Sequence, residues 1–306
     1  MSLCEGVVSL SALAGAAGLA IGSIDFGANV NGRLPFGSPV FGAVALAAVV
    51  GLPMAMACVA DWQGARRANQ LTMGAGGLLV GWIAVEVVVI RSFSWLQPAM
   101  AVIGAAVGFA GYRQWSLTWG ATHDEVAGRM PGDEIGVPEA FSATRAVSIA
   151  APPEEVWPWL CQVGVGRAGF YSYDSLDNGG VPSSREILTG FQQVAVGDLA
   201  APMTYPPSPT TSFTVASFEF ERALVWAKAD GVWAWSLVPD GDGTRLVVRL
   251  RTGPDWHHAA RSLIGGVLVE VGDFPMMRKM LLGIKERAEN LDTARSMVLQ
   301  GARQAV

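Results

Sequence analysis

The sequence predicts a two-part chain: an all-α membrane region, then an α+β domain whose bent antiparallel sheet is clasped by a long C-terminal helix. Three observations carry this. Charge is sparse before residue 115, with five arginines, four acids and no lysine, whereas soluble domains are about a quarter charged. Apolar residues then alternate with period two over residues 212–252, and with helical period over residues 277–291.

A helix crosses the hydrocarbon core with about 20 mostly apolar residues. Residues 1–115 supply four such runs, expected as spans at about 6–24, 38–60, 71–90 and 94–112. Pro35 and Pro39 mark the entry to the second, and Pro53 predicts a kink within it. Gly18 with Gly22, Gly77 with Gly81, and Gly104 with Gly108 are spaced for close helix approach. Met1-Ser-Leu-Cys-Glu5 carries a negative charge where a signal peptide needs a positive one, so the first span is expected to stay in the chain. Glu86 is ionisable and well inside the third span; it either reaches the interface near Arg91 or marks a function. Arg66, Arg67, Arg113 and Arg129 outnumber Arg33 and Arg91 on the alternate loops. That bias puts the soluble domain on the cytoplasmic side of a multi-pass protein of the inner (plasma) membrane.

Composition bounds the partners. The 306 residues are 51% hydrophobic, with net charge −5 and mean hydropathy +0.35. Residues 116–306 hold 16 basic and 22 acidic side chains, which offers nucleic acid no basic footprint. Cys4, Cys58 and Cys161 have no paired spacing, so neither a disulfide framework nor a zinc site is expected. His257 and His258 are sequence neighbours and do not share a helical face, so no metal is expected, and no cofactor motif stands.

Residues 116–142 read as a polar linker, with Pro131-Gly132-Asp133-Glu134 and Gly136-Val-Pro138 supplying turns. The folded domain is expected over 143–291, with 292–306 as a tail. Thr144–Ile149 alternates as a strand does. Pro152 and Pro153 with Glu154 and Glu155 suit a helix start, where proline loses no bond and acids meet the positive dipole end. Val156, Trp159, Leu160 and Val163 share one helical face.

Strands are expected at Ser212–Glu219, Arg222–Lys228, Val232–Pro239 and Thr244–Thr252, with hairpin turns at Asp230-Gly231 and in Asp240-Gly-Asp-Gly243. Arg245, Val247, Arg249 and Arg251 take one face of the last strand, expected wet; Leu246, Val248 and Leu250 take the other. Met277, Leu281, Ile284, Ala288 and Leu291 recur at helical spacing and form the cover. Together these make a helix-grip α+β domain.

The run Ala151-Pro-Pro-Glu-Glu-Val-Trp-Pro-Trp-Leu160, with Gly166-Arg-Ala-Gly-Phe-Tyr-Ser-Tyr-Asp-Ser-Leu-Asp-Asn178 and Val196-Gly-Asp198, resembles the START-like, polyketide-cyclase/dehydrase (SRPBCC) superfamily. Met277-Arg-Lys-Met-Leu-Leu-Gly-Ile284 resembles the C-terminal helix of a bacterial branch of it. The resemblance covers about residues 143–291 and implies a cavity between sheet and helix that takes a hydrophobic small molecule or a lipid. It implies no one activity, because that superfamily includes lipid carriers, hormone receptors, cyclases and oxygenase subunits. Leu34-Pro-Phe-Gly-Ser-Pro39 and Arg91-Ser-Phe-Ser-Trp-Leu-Gln-Pro98 are similar to an uncharacterised integral-membrane family.

Candidate ligand-binding residues follow from position. Arg167, Tyr171, Tyr173, Asp174, Asp177 and Asn178 fall where helix-grip proteins place a cavity rim; the tyrosines offer apolar walls with hydroxyl tips and Arg167 a charge. A plainer role stands beside this one: Asp174 and Asp177 cap a short helix and the tyrosines pack it. Trp226, Trp233 and Trp235 are wall candidates or core, and Met277 and Leu281 join them from the helix, with Met276 and Met280 as adaptable neighbours. Gly164-Val-Gly-Arg-Ala-Gly169 spells a dinucleotide fingerprint but follows a helix, so it reads as a helix-ending glycine loop. Residues 259–271 are too short to span and read either as an interfacial helix or as a buried one. The expected function is a membrane-anchored binder of a hydrophobic molecule. An enzyme using Tyr171, Tyr173 or Asp174 to move a proton, and a non-catalytic interaction protein, are the alternatives.

Overall fold

The computed structural model describes residues 2–25, 27, 31–65, 67–91, 93–137, 141–209, 211–253 and 272–291. Contacts divide the chain into two units, Met1–Ser116 and Leu117–Val306. Arg66, Pro138, His257, His258 and the segments 259–271 and 292–306 lie outside the described residues.

Four long helices build the first unit: α1 (Ser2–Ala20), α2 (Pro39–Trp62), α3 (Ala68–Ile90) and α4 (Leu96–Leu117). Ser38 caps α2 by accepting from the Phe41 amide at 3.2 Å, and Pro39 follows at the first position, where its missing N–H costs nothing. The kink expected from Pro53 takes the form of a π-helical turn at Ala47–Gly51, just before a residue that cannot donate to the ladder. Gly76 of α3 meets Gly104 and Gly108 of α4 so closely that any Cβ there would overlap their backbones. Gly77 and Gly81, expected as the packing pair, instead face open space.

Val8, Ala12, Val50, Met54, Ala57 and Leu79 fill the core of this unit, while Leu10, Val44, Val88 and Val102 point outward and are exposed. Among the described residues, three helices are long and apolar enough to cross a membrane: α1, α2 and α3. The sequence led us to expect a fourth. Helix α4 is long enough, but Gln97 and Pro98 at one end and Tyr112, Arg113 and Gln114 at the other dilute its apolar character.

The second unit opens with a short helix, α5 (His123–Ala127), started by a reciprocal capping box between Thr122 and Glu125. There follow β1 (Phe141–Ile149), α6 (Pro153–Cys161), α7 (Asp174–Asp177) and then β2 (Leu199–Ala200), β3 (Phe213–Glu219), β4 (Ala223–Lys228), β5 (Gly231–Asp240) and β6 (Gly243–Thr252). Residues 272–291 form the final helix, α8. The six strands make one antiparallel sheet in the order β1-β6-β5-β4-β3-β2. Asp240 pairs with Gly243 across a two-residue turn at Gly241-Asp242, and Gly241 adopts φ 61°, which the tight hairpin requires.

One face of the sheet packs against α6 and α8. Trp159, Leu160, Trp226, Trp235, Leu246 and Leu281 share this core, and the helical face expected from residue 277 onward is the one it buries. This is a helix-grip-like fold. Gly283 sits where a Cβ would overlap the Tyr171 carbonyl, so its bare backbone lets α8 approach that loop.

The other face departs from expectation. Instead of lying open to water under a loose linker, it is covered by residues 121–137, with Met130, Ile135 and Val137 against Ala146, Val225 and Val247. The arginines of β6 explain why. Arg249, 7% exposed, donates to the carbonyls of Glu125, Val126 and Gly128 and to Asp133 at 2.6 Å. Arg251 donates to the Gly132 carbonyl at 2.6 Å, and Arg245 pairs with Glu125 at 2.7 Å. The alternating charges are clamps for the connector.

Candidate functional site

Between the sheet and α8 lies a cavity of ≈ 490 Å3. Sheet alternation puts Phe213, Trp233 and Leu250 on its wall, because Trp233 and Leu250 are paired in neighbouring strands and project to the same face. Helix α8 contributes Met276, Met277 and Met280, whose thioethers adapt to irregular shapes. Phe170 and Met203 come from loops and Leu176 from α7. The lining is thus mainly aromatic and thioether, with a small number of polar groups among it.

Those polar groups are Ser172, Asp177, Lys228, Thr252 and Asp273. Asp273 is bound to the buried Arg145 at 2.6 Å. Lys228 meets Asp230 at 3.2 Å and stands 5.3 Å from the Phe213 ring centre, a cation–π distance. The Ser172 hydroxyl lies 3.1 Å from the Met276 carbonyl and also neighbours the Asp177 carboxylate. Both carboxylate oxygens of Asp177 are shielded from solvent. Burial, offset only in part by that hydroxyl, holds this carboxyl above the usual carboxylate range.

The nine residues singled out from sequence are distributed unevenly. Trp233 and Met277 line the cavity. Trp226 and Trp235 stand behind Trp233, with ring centres 5.4 Å and 5.2 Å from it, and Leu281 is fully buried in the same core. Tyr171 is buried too: its hydroxyl donates to the Trp159 carbonyl at 3.1 Å, and Arg287 stacks on its ring at 4.6 Å. Burial pushes its phenol well above the normal range, so it holds its proton.

Asp174 accepts from the amide of Ser183 at 3.0 Å and from its hydroxyl at 2.5 Å. Ser183 in turn accepts from the Tyr171 amide at 3.0 Å, so this carboxylate shapes the loop. Tyr173 is 44% exposed. Arg167 donates to the Cys161 carbonyl at 3.1 Å, where the end of α6 leaves acceptors unmet, and lies over the Phe191 ring at 4.5 Å. The glycine run around it closes on itself through a Gly164–Gly169 bridge, a loop after a helix. Burial pushes the Cys161 thiol up to about 12, far from a reactive thiolate.

Phe170, Met203, Phe213 and Lys228 were not singled out as wall residues, while Asp177 was placed in the rim segment with a helix cap as its plainer role. For Phe213 the signal was present: its place in β3, alternating with Val215, puts it on the buried face. The others depend on loop paths or on a strand end, which carry no period.

A second cavity of ≈ 260 Å3 lies within the helical unit, where Leu34, Phe41, Trp82, Val89 and Glu86 form part of the wall. This places Glu86 on an apolar pocket.

No family model matches the chain, and no curated protein matches it. Solved structures do align with about half of it. A polyketide-cyclase-like protein from Corynebacterium glutamicum shares 15% identity at a TM-score of 0.27, covering 47% of this chain and 88% of that one. A protein from Mesorhizobium loti shares 17% identity at 0.28, covering 48% and 98%. One from Thermus thermophilus shares 16% at 0.25, covering 48% and 97%. The first of these is described as polyketide-cyclase-like, and the helix-grip-like description rests on this chain's own sheet, helix and cavity.

Proposed function

We propose that this chain is a membrane-anchored binding protein whose second unit takes a hydrophobic small molecule or lipid into the cavity under α8. The observation that carries the reading is that cavity: ≈ 490 Å3 is the size of small-molecule sites, and its wall is mostly aromatic and thioether. An apolar wall of this kind offers water few partners, so a matching apolar occupant gains dispersion contacts along it. The apolar helices support the other half. We read α4 as a fourth span beside the three apolar ones, with the arginine bias assigning the second unit to the cytoplasmic face. A tether to the bilayer raises the effective concentration of a membrane-dissolved ligand without any added contact.

Binding is favoured over turnover at the groups first suspected of proton transfer. The Tyr171 hydroxyl is committed to Trp159 and the Asp174 carboxylate to Ser183.

A neutral fluorescent probe, N-phenyl-1-naphthylamine, tests the reading on the full chain in lipid nanodiscs, with empty nanodiscs subtracted. Wild type is expected to bind it at one site with blue-shifted emission, and Leu250→Trp, which fills the cavity from β6, to weaken binding at least about tenfold. Equal binding by the two proteins overturns the cavity as the site.

A further inference from the structure

The cavity of ≈ 260 Å3 in the first unit lies between the start of α2 and the end of α3. Its wall is aliphatic and aromatic but for Glu86, the one charged residue on it among the described residues. Trp82 precedes Glu86 by four residues on α3, so the two share a face, and Phe41 joins the wall from α2. The Glu86 carboxylate has the side chains of Trp82 and Gln97 as hydrogen-bonding neighbours. Both are neutral, and no lysine or arginine is paired with the carboxylate among the described residues. The arginines at this end of α3 serve its carbonyls instead: Arg33 donates to Ile90 at 2.6 Å and Arg91 to Val88 at 3.4 Å. Neither arginine is on the cavity wall. Phe41 and Val85 are on it and remain exposed, so the cavity opens on the outer surface of the unit.

We propose that this cavity is a second binding site, for a free organic monocation: an apolar amine or quaternary ammonium whose charge meets Glu86 and whose body lies against Trp82 and Phe41. A carboxylate set in an apolar wall lacks compensation until a cation arrives, and aromatic faces attract the same kind of charge. Neutral hydrocarbons match the wall and leave the carboxylate uncompensated, while anions meet it with repulsion. A phosphocholine headgroup carries the same ammonium but brings a phosphate into a wall whose one charge is negative, so the free cation is favoured. The site stands apart from the cavity under α8, and neither reading depends on the other.

The test titrates benzyltrimethylammonium, and phenylacetate as its anionic counterpart, by calorimetry into the full chain in dodecyl maltoside, with micelles alone subtracted. That detergent carries no ammonium group to compete. Wild type is expected to bind the cation at one site and not to bind phenylacetate. Glu86→Gln keeps the size and removes the charge; it should weaken cation binding at least about tenfold. Gly42→Leu keeps the charge and fills the cavity from α2, where a Cβ would stand 3.8 Å from its nearest neighbour, the Leu34 side chain. It should weaken the cation by as much. Because Gly42→Leu leaves Glu86 in place, it decides the matter even where the Glu86→Gln chain does not fold. Leu250→Trp, in the other cavity, should bind the cation as wild type does. No binding by wild type, equal binding by wild type and a folded Glu86→Gln chain, or loss in Leu250→Trp with Gly42→Leu unaffected overturns the site. Displacement of the cation by equimolar dihexanoyl phosphatidylcholine reassigns the occupant to a lipid headgroup and overturns the free cation.

Discussion

Asp177 is where the site departs most from an ordinary core. Burial disfavours its ionised form and the neighbouring Ser172 hydroxyl offsets only part of that cost, so the folded chain holds its proton more tightly than the unfolded chain does. Its folded pKa lies above its unfolded value, so stability falls as pH rises from the unfolded pKa through the folded one. Asp177→Asn removes that dependence. In ligand-free protein, the variant is expected to melt above wild type at pH 8 and together with it at pH 4, measured by thermal unfolding of the full chain in nanodiscs. A lower melting temperature for the variant at both pH values would mean that hydrogen bonding to the carboxylate outweighs its burial. Trp233 and Met277 were readable from sequence because strand alternation and helical spacing assign them a face. Asp177 could be placed in the rim segment, but its burial was not readable, since the same letters at the end of an exposed helix would look identical.

At the scale of elements, the connector shows how charge can mislead. A strand bearing Arg245, Arg249 and Arg251 on one face reads as solvated, yet the structure covers that face with a segment rich in carbonyls and acids. The planar guanidinium suits this, with several donors fanned toward fixed acceptors. Arg245 holds the Glu125 carboxyl below the usual carboxylate range, chiefly by hydrogen bonding. Its folded pKa lies below the unfolded one, so the stabilisation is present above the unfolded value and is lost as pH falls through the folded one. Glu125→Gln is accordingly expected to cost about 1 kcal/mol at pH 7 for a pair this accessible, and to cost less as pH drops toward 3. A cost that stays constant over that range would assign the effect to the α5 cap alone. The longer strands were legible to within three residues, because period two persists over β1 and β3 through β6. Strand β2, with two residues, has no period to read, and the partners of the β6 arginines are set by a chain path that no local pattern encodes.

At the scale of the whole molecule, the proposed reading has one chain meeting two solvents. The first unit leaves Leu10, Val44 and Val88 facing outward and buries Glu5, Ser9 and Thr72, with Glu5 accepting from Thr72 at 2.6 Å. The second unit hides its tryptophans and leaves a cavity beside them. Membrane attachment and apolar binding make sense of each other, since a ligand that prefers lipid to water is concentrated where the anchor is. Native mass spectrometry of the full chain, released gently from nanodiscs made from its own membranes, tests that claim most directly. The account expects a one-to-one adduct of a few hundred daltons on wild type, apolar on fragmentation, and absent from Leu250→Trp. An adduct-free wild type under conditions that preserve lipid on other membrane proteins, or the same adduct on both proteins, would contradict it.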